Sequence, residues 1–333
     1  MYKKRNPISL LLLSSLLVMV ILDSKTAVTA SKYSIDLCIK TVLPSILPFL
    51  FLGGAIAAEI SGIQILFLEH ILHIPKGTAA YFIIGHLCGY PVGAKLIQDA
   101  VDRNEIDRSA AARMVALCNN ASPAFIIGII SSLFSDVWLA IIIWLIQILS
   151  SLLLGMLLPK APERTLQQST HQMQSLTKIM TDCIKGAATI CGWIVIMGIL
   201  LAFINKPILN KLSPLGSTIL SGAIELTSGL LRMQGIRSEP LRFAVSSVLL
   251  SLGGICVILQ TKSVAHSVSI KAYLFARMMH AIISCTITTI VALLIFPQEL
   301  GCQQCIPLLI CAGIICCIIL FFNKKVVAFE KKL

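Results

Sequence analysis

Four short stretches of this chain combine polar side chains with helix-breaking residues inside otherwise apolar sequence. They are Gly89-Tyr90-Pro91-Val92-Gly93, Asn119 to Pro123, Glu225-Leu226-Thr227-Ser228-Gly229 and Ser251 to Gly254. A break in an apolar helix exposes backbone N–H groups at the start of the next half-helix, where the aligned dipoles favour anions. Glycines such as Gly89, Gly93, Gly253 and Gly254 let a ligand approach that backbone closely. Asn119, Asn120, Ser122, Thr227 and Ser228 supply neutral donors and acceptors. Such groups suit a site that binds a solute and lets it go. Tyr90 and Pro91 complete the first break, and Lys95 adds a positive charge just beyond it.

Most of these residues have a second reading. Asn119 and Asn120 either face a solute or hold helices together, as polar side chains do in membrane bundles. Lys95 either faces the site or snorkels to the headgroups. Glu225 is an acid at membrane depth, which is costly and functional by default, unless it is a structural carboxylate paired across the bundle. Gln260 reads as a helix-end residue, and His86 and His280 as structural, with no partner at ligand spacing. No Ser/His/Asp set and no P-loop lysine is visible, so the chain reads as a non-enzyme with no cofactor and no metal.

The elements that must position these stretches are membrane helices. The 333 residues are 57% hydrophobic and 13% charged, against about 25% charged in soluble domains. The net charge of +12 resides mostly between apolar segments. It therefore speaks for lipid headgroups as a partner and not for nucleic acid. Most of the twelve cysteines lie in apolar segments and act as small hydrophobes. Cys302 and Cys305 alone have a spacing compatible with a disulfide or metal pair.

The pattern predicts an all-α polytopic membrane protein with about eight spanning helices: Ile8 to Leu22, Ile35 to Ile60, Met114 to Phe134, Val137 to Leu158, Cys183 to Ile204, Leu241 to Gln260, Met278 to Phe296 and Ile306 to Phe322. Residues 1–34 form a first helix, or a signal-like segment ending near Ala30, and a loop. Residues 35–158 form a first repeat and 181–322 a second. They are joined by a cytoplasmic linker at 159–180 and followed by a basic tail at 323–333. Two segments, 78–95 and 214–231, are too broken to span. Broken backbone at membrane depth is tolerated only where protein buries it or where it lines a cavity. When every apolar segment is made to span, Lys and Arg divide evenly between the two sides. When 78–95 and 214–231 are re-entrant hairpins, the basic residues concentrate inside, as the positive-inside rule requires. The hairpins then enter from opposite sides, each followed by a broken span. That is the inverted-repeat plan of secondary transporters, whose sites lie at discontinuous helices near the midplane.

Cys88 to Lys95 (CGYPVGAK), Cys118 to Gly128 (CNNASPAFIIG) and Glu225 to Leu230 (ELTSGL) resemble the YlbJ/SpoVV family of sporulation integral membrane proteins, of the nucleoside-recognition Gate domain group. Ile190 to Val195 and Leu252 to Gln260 look like that family too, and the similarity spans roughly residues 35 to 325. Cys88 stands where the family motif usually has serine. The resemblance implies a role in endospore formation: movement of dipicolinic acid, a small planar dianion, across the outer forespore membrane. It leaves two alternatives open. One is an ion-coupled nucleoside or nucleobase carrier with Glu225 as the coupling residue. The other is a membrane scaffold for spore assembly that transports nothing.

Overall fold

The computed structural model describes residues 7–60, 63–158 and 175–298. The predicted span from Ile306 to Phe322, the basic tail, Cys302, Cys305 and most of the 159–180 linker lie outside the described residues. Every regular element described is helical. Five helices are long and apolar enough to cross a membrane: Arg108–Phe134, Val137–Leu157, Leu176–Asn205, Glu239–Val264 and Ile270–Ile295. A bent pair, Leu13–Leu22 with Ser24–Val42 at 104°, makes a sixth if it is one span. This is fewer than the seven of the eight predicted spans that fall mainly on described residues, and the shortfall is at the N-terminus.

There α1 (Pro7–Leu22) runs into α2 (Ser24–Leu37), where the sequence predicted a loop. The side chain of Asp23 caps α2 by accepting from the Thr26 N–H at 3.0 Å, so the polar gap in the sequence starts a helix. A π-helical turn (Cys38–Val42) joins α2 to α3 (Leu43–Glu59). The Leu43 N–H reaches back to Cys38 O, five residues away. Pro44, with no N–H, and Pro48 in the middle of α3 interrupt regular bonding on this stretch. The predicted span from Ile35 to Ile60 is therefore bent, and only Ile46–Ala57 remains a straight apolar helix.

The rest of the chain repeats one order of elements. α4 (Leu66–Leu72) precedes a folded pair, α5 (Ala79–Cys88) and α6 (Val92–Asp102). A broken span follows, α7 (Arg108–Cys118) and α8 (Pro123–Phe134), and then an unbroken helix, α9 (Val137–Leu157). After the long α10 (Leu176–Asn205) comes a second pair, α11 (Pro214–Ile224) and α12 (Leu226–Arg232). It too is followed by a broken span, α13 (Glu239–Leu252) with α14 (Gly254–Val264), and by a long helix, α15 (Ile270–Ile295). The members of each pair are 7 to 11 residues long, well short of the roughly 20 needed to cross hydrocarbon, and they pack on one another. The α13–α14 break falls where the sequence places two glycines, Gly253 (φ 75°) and Gly254 (φ 71°), both in the left-handed region. α13 and α9 pack against α15. The outward faces of α1, α9, α10 and α15 present leucine and isoleucine (Leu17, Leu145, Ile184, Ile290), as a lipid-facing surface requires.

Candidate functional site

The breaks of the two halves are built alike, each from a folded pair laid against a broken span. In the first half, the glycines on both sides of the α5–α6 turn back onto the end of α7. A Cβ on Gly85 would lie 3.0 Å from the carbonyl carbon of Cys118, and one on Gly93 2.7 Å from the same atom. Gly89 backs onto Ser122 in the same way, at 2.6 Å from its backbone nitrogen. The Tyr90 N–H donates to Asn120 O at 2.6 Å, and the Tyr90–Pro91 bond is cis. In the second half, Gly254 backs onto the carbonyls of Gly222 and Ala223 at the end of α11, and Gly229 backs onto Gly222.

The N–H groups at these breaks are mostly occupied by the chain itself, contrary to the expectation that they stand free for an anion. Ala94 N, in the first turn of α6, donates to Asn119 Oδ1 at 3.3 Å. Phe125 N, in the first turn of α8, donates to Ser122 Oγ at 3.2 Å. The carboxylate of Glu225 accepts from Thr227 N at 2.9 Å, and from Ser228 N and Ser228 Oγ at 2.7 Å each. It is 4% exposed and is the N-cap of α12. Side-chain capping of this kind satisfies donors that water cannot reach. α14 starts at Gly253 without a side-chain cap.

Asn119 and Asn120 are fully buried and serve as framework. The amide of Asn119 donates to Thr261 Oγ1 at 2.9 Å and to the Tyr273 hydroxyl at 3.0 Å. The amide of Asn120 lies 3.1 Å from His86 Nε2, 3.0 Å from Ser151 Oγ and 2.8 Å from Leu117 O. Ser151 continues to His280 Nε2 at 3.1 Å. Beyond it Gln147, Ser247, Ser251 and Ser284 bond one another. These buried polar groups tie α5, α7, α9, α13 and α15 together. Lys95 is paired with Asp99, one turn along α6, at 2.9 Å.

A pocket opens between the two halves. Its wall takes Cys88 and Tyr90 from the α5–α6 turn, Ser122 and Phe125 from the start of α8, and Glu225, Leu226 and Thr227 from the α11–α12 turn. Val257 and Gln260 of α14, Ile190 and Ile194 of α10, and Thr41, Val42 and Ile46 close it. The wall is mostly apolar, with a few convergent polar groups, as small-solute sites are. It contains, among the described residues, one carboxylate and no lysine or arginine. The buried hydroxyl of Tyr90 has no hydrogen-bond partner among the described residues. Among the described residues no three His, Cys, Asp or Glu side chains converge as a metal-holding group.

Of the residues singled out in the sequence, Tyr90, Ser122, Glu225 and Thr227 line this pocket, and Ser228 orients Glu225. Gly89 and Pro91 form the turn that carries Tyr90, Gly93 lies in the first turn of α6, and Gly253 and Gly254 form the break at the start of α14. Asn119 and Asn120 stand behind the wall. Lys95 lines a separate cleft with Asp99, Arg103 and Asp182. Cys88 and Gln260 lie in sequence stretches that carry the family resemblance, yet nothing in their own types marked them as wall residues. Arg277, 2% exposed on α15, was missed: it falls just before the apolar run from Met278, where a cation reads as a helix-end residue.

No protein-family model matches the chain, and no solved structure matches it. The chain is similar to the sporulation integral membrane protein YlbJ of Bacillus subtilis (strain 168), with 28% identity over 143 residues. The match covers 41% of this chain and 35% of that protein, so the chain spans about a third of the length of the curated relative it matches. The motif-level resemblance to a sporulation integral membrane protein is borne out by this match.

Proposed function

We propose that this chain is a secondary transporter acting in sporulation, and that its cargo occupies the pocket between the α5–α6 and α11–α12 turns. The observation that carries the proposal is the shared wall: two folded pairs too short to span, one from each half, present their turns to a single cavity. In this reading the two pairs are re-entrant hairpins entering from opposite sides, and the halves are inverted repeats that rock about the site. The protein moves its cargo unchanged.

Following the sporulation resemblance, the cargo is dipicolinate, carried across the outer forespore membrane. Glu225 then sets a condition. A dianion beside an ionised carboxylate, in a wall whose described residues include no lysine or arginine, is strongly repelled. Transport of dipicolinate therefore requires a proton on Glu225, or a cation that enters with the cargo. The lack of a basic side chain among the described wall residues favours a second reading, a neutral nucleoside or nucleobase held by Glu225, Thr227 and Gln260. Flux measurements in proteoliposomes separate the two. Uptake of dipicolinate that rises with a proton or sodium gradient supports the first reading, and uptake of uridine supports the second. Flux of neither solute under any gradient would leave the scaffold role and refute the transporter reading.

A further inference from the structure

The two halves meet at one buried guanidinium. Arg277 Nη1 donates to Asn120 Oδ1 at 2.8 Å and to Asn119 O at 3.3 Å, while Nη2 donates to Leu250 O at 3.2 Å. Asn119 ends α7, and Leu250 is in the last turn of α13. A single planar fork thus closes the C-terminal ends of both broken helices, one from each half. Among the described residues no carboxylate pairs with it, and its Nε has no partner. A buried cation without an acid is costly. Here the negative ends of two helix dipoles and the carbonyls left over at the breaks offset that cost.

The fork also reaches the pocket. Asn120, fixed by Arg277 through its side-chain oxygen, holds the Tyr90 N–H through its backbone oxygen and faces His86 through its amide. Tyr90 and its neighbour Cys88 are part of the pocket wall. We propose that Arg277 is a positioning residue: it clamps the two breaks together and, through Asn120, seats the turn that carries Tyr90 and Cys88. The clamp does not depend on which solute the pocket takes. Only its consequence for transport rests on the pocket being the cargo site. Lysine cannot substitute, because one ammonium on a flexible stem lacks the planar fork that spans both helix ends.

The test reads the wall directly. Two proteins are prepared in native-like membranes, one retaining only Cys88 and one retaining only Cys285, the latter on the same helix as Arg277 and outside the pocket. Each is combined with Arg277→Lys and with Arg277→Gln, and alkylation by N-ethylmaleimide is followed. The expected result is that Cys88 reacts about tenfold faster in both variants, the effect of losing one charge-assisted hydrogen bond, while Cys285 keeps its parent rate. An unchanged Cys88 rate in a variant whose Cys285 rate is also unchanged overturns the clamp. Equal acceleration at both cysteines overturns it too, because that pattern is general loosening. Arg277→Lys keeps the charge and therefore tests the fork if Arg277→Gln does not insert. A parent protein that moves no dipicolinate leaves this readout intact, so failure of the transporter reading is distinguishable from failure of the clamp.

Discussion

Gly93→Ala is the sharpest test of how the first break is assembled. The added Cβ would sit 2.7 Å from the Cys118 carbonyl carbon, 3.1 Å from Asn119 Cα, and closer still to the Cys118 oxygen. Carbon atoms in contact prefer about 3.5–4.0 Å, so α6 and α7 must separate by close to 1 Å. The obstacle is backbone and cannot rotate aside. Overpacking then costs about 3 kcal/mol, the upper part of its usual range. Separation also stretches the 3.3 Å bond from Ala94 N to Asn119 Oδ1, worth roughly 1 kcal/mol. The sum, about 4 kcal/mol, is a large share of the roughly 5–15 kcal/mol that keeps a protein folded. Gly128 is the control. A Cβ there meets nothing within 4 Å, and alanine in place of a helical glycine stabilises by roughly 0.5–1 kcal/mol. Thermal unfolding of the purified protein in detergent reads both. At roughly 2 °C per kcal/mol for a chain of this size, Gly93→Ala lowers Tm by about 8 °C and Gly128→Ala raises it by 1–2 °C. Equal melting of the two variants would refute the packing of the turn on α7.

Three further outcomes follow from the same geometry. Glu225→Gln leaves one oxygen for donors that now share two, so it weakens the α12 cap by about 1–2 kcal/mol and abolishes any dependence of uptake on the proton or cation gradient; uptake that stays gradient-dependent would remove Glu225 from the coupling role. Asn120→Ala strips Arg277 Nη1 of its shortest bond and removes the amide that faces His86 Nε2 and Ser151 Oγ, at a cost of about 3 kcal/mol or more, and spores carrying it accumulate less dipicolinate; normal accumulation would contradict the assignment. Lys95→Gln breaks the partly buried pair with Asp99, worth roughly 1–3 kcal/mol, and leaves the apparent affinity for cargo unchanged, which KM for uptake checks directly.

The breaks are legible in the sequence because their causes are local. Gly89 and Pro91 separate α5 from α6, Gly253 and Gly254 separate α13 from α14, and an acid such as Glu225 stands out among apolar neighbours. The N-terminal region misleads for a related reason. Asp23, Ser24 and Lys25 look like a loop in a hydropathy pattern, yet one carboxylate cap starts α2 there, and Pro44 and Pro48 bend the next apolar run. What the sequence hides is partnership. Asn119 and Asn120 read equally as ligand groups or as framework until Thr261, Tyr273 and Arg277, more than 140 residues away along the chain, are seen to hold them. Glu225 reads as a free acid until Ser228 and the α12 N–H groups are seen to enclose it. Arg277 is invisible for the same reason, since nothing near it in sequence tells of two helix ends converging on its side chain.

Cys88 offers the most direct measurement of the central claim, because it is a natural thiol in the pocket wall. In the protein retaining only Cys88, alkylation is followed with increasing dipicolinate, and separately with uridine, under an imposed proton or sodium gradient. The account predicts that one of the two solutes slows the reaction saturably, and that Thr227→Ala, in the opposite turn, shifts the half-protecting concentration upward. Uptake of either solute with no protection of Cys88 would place the cargo elsewhere and contradict the account.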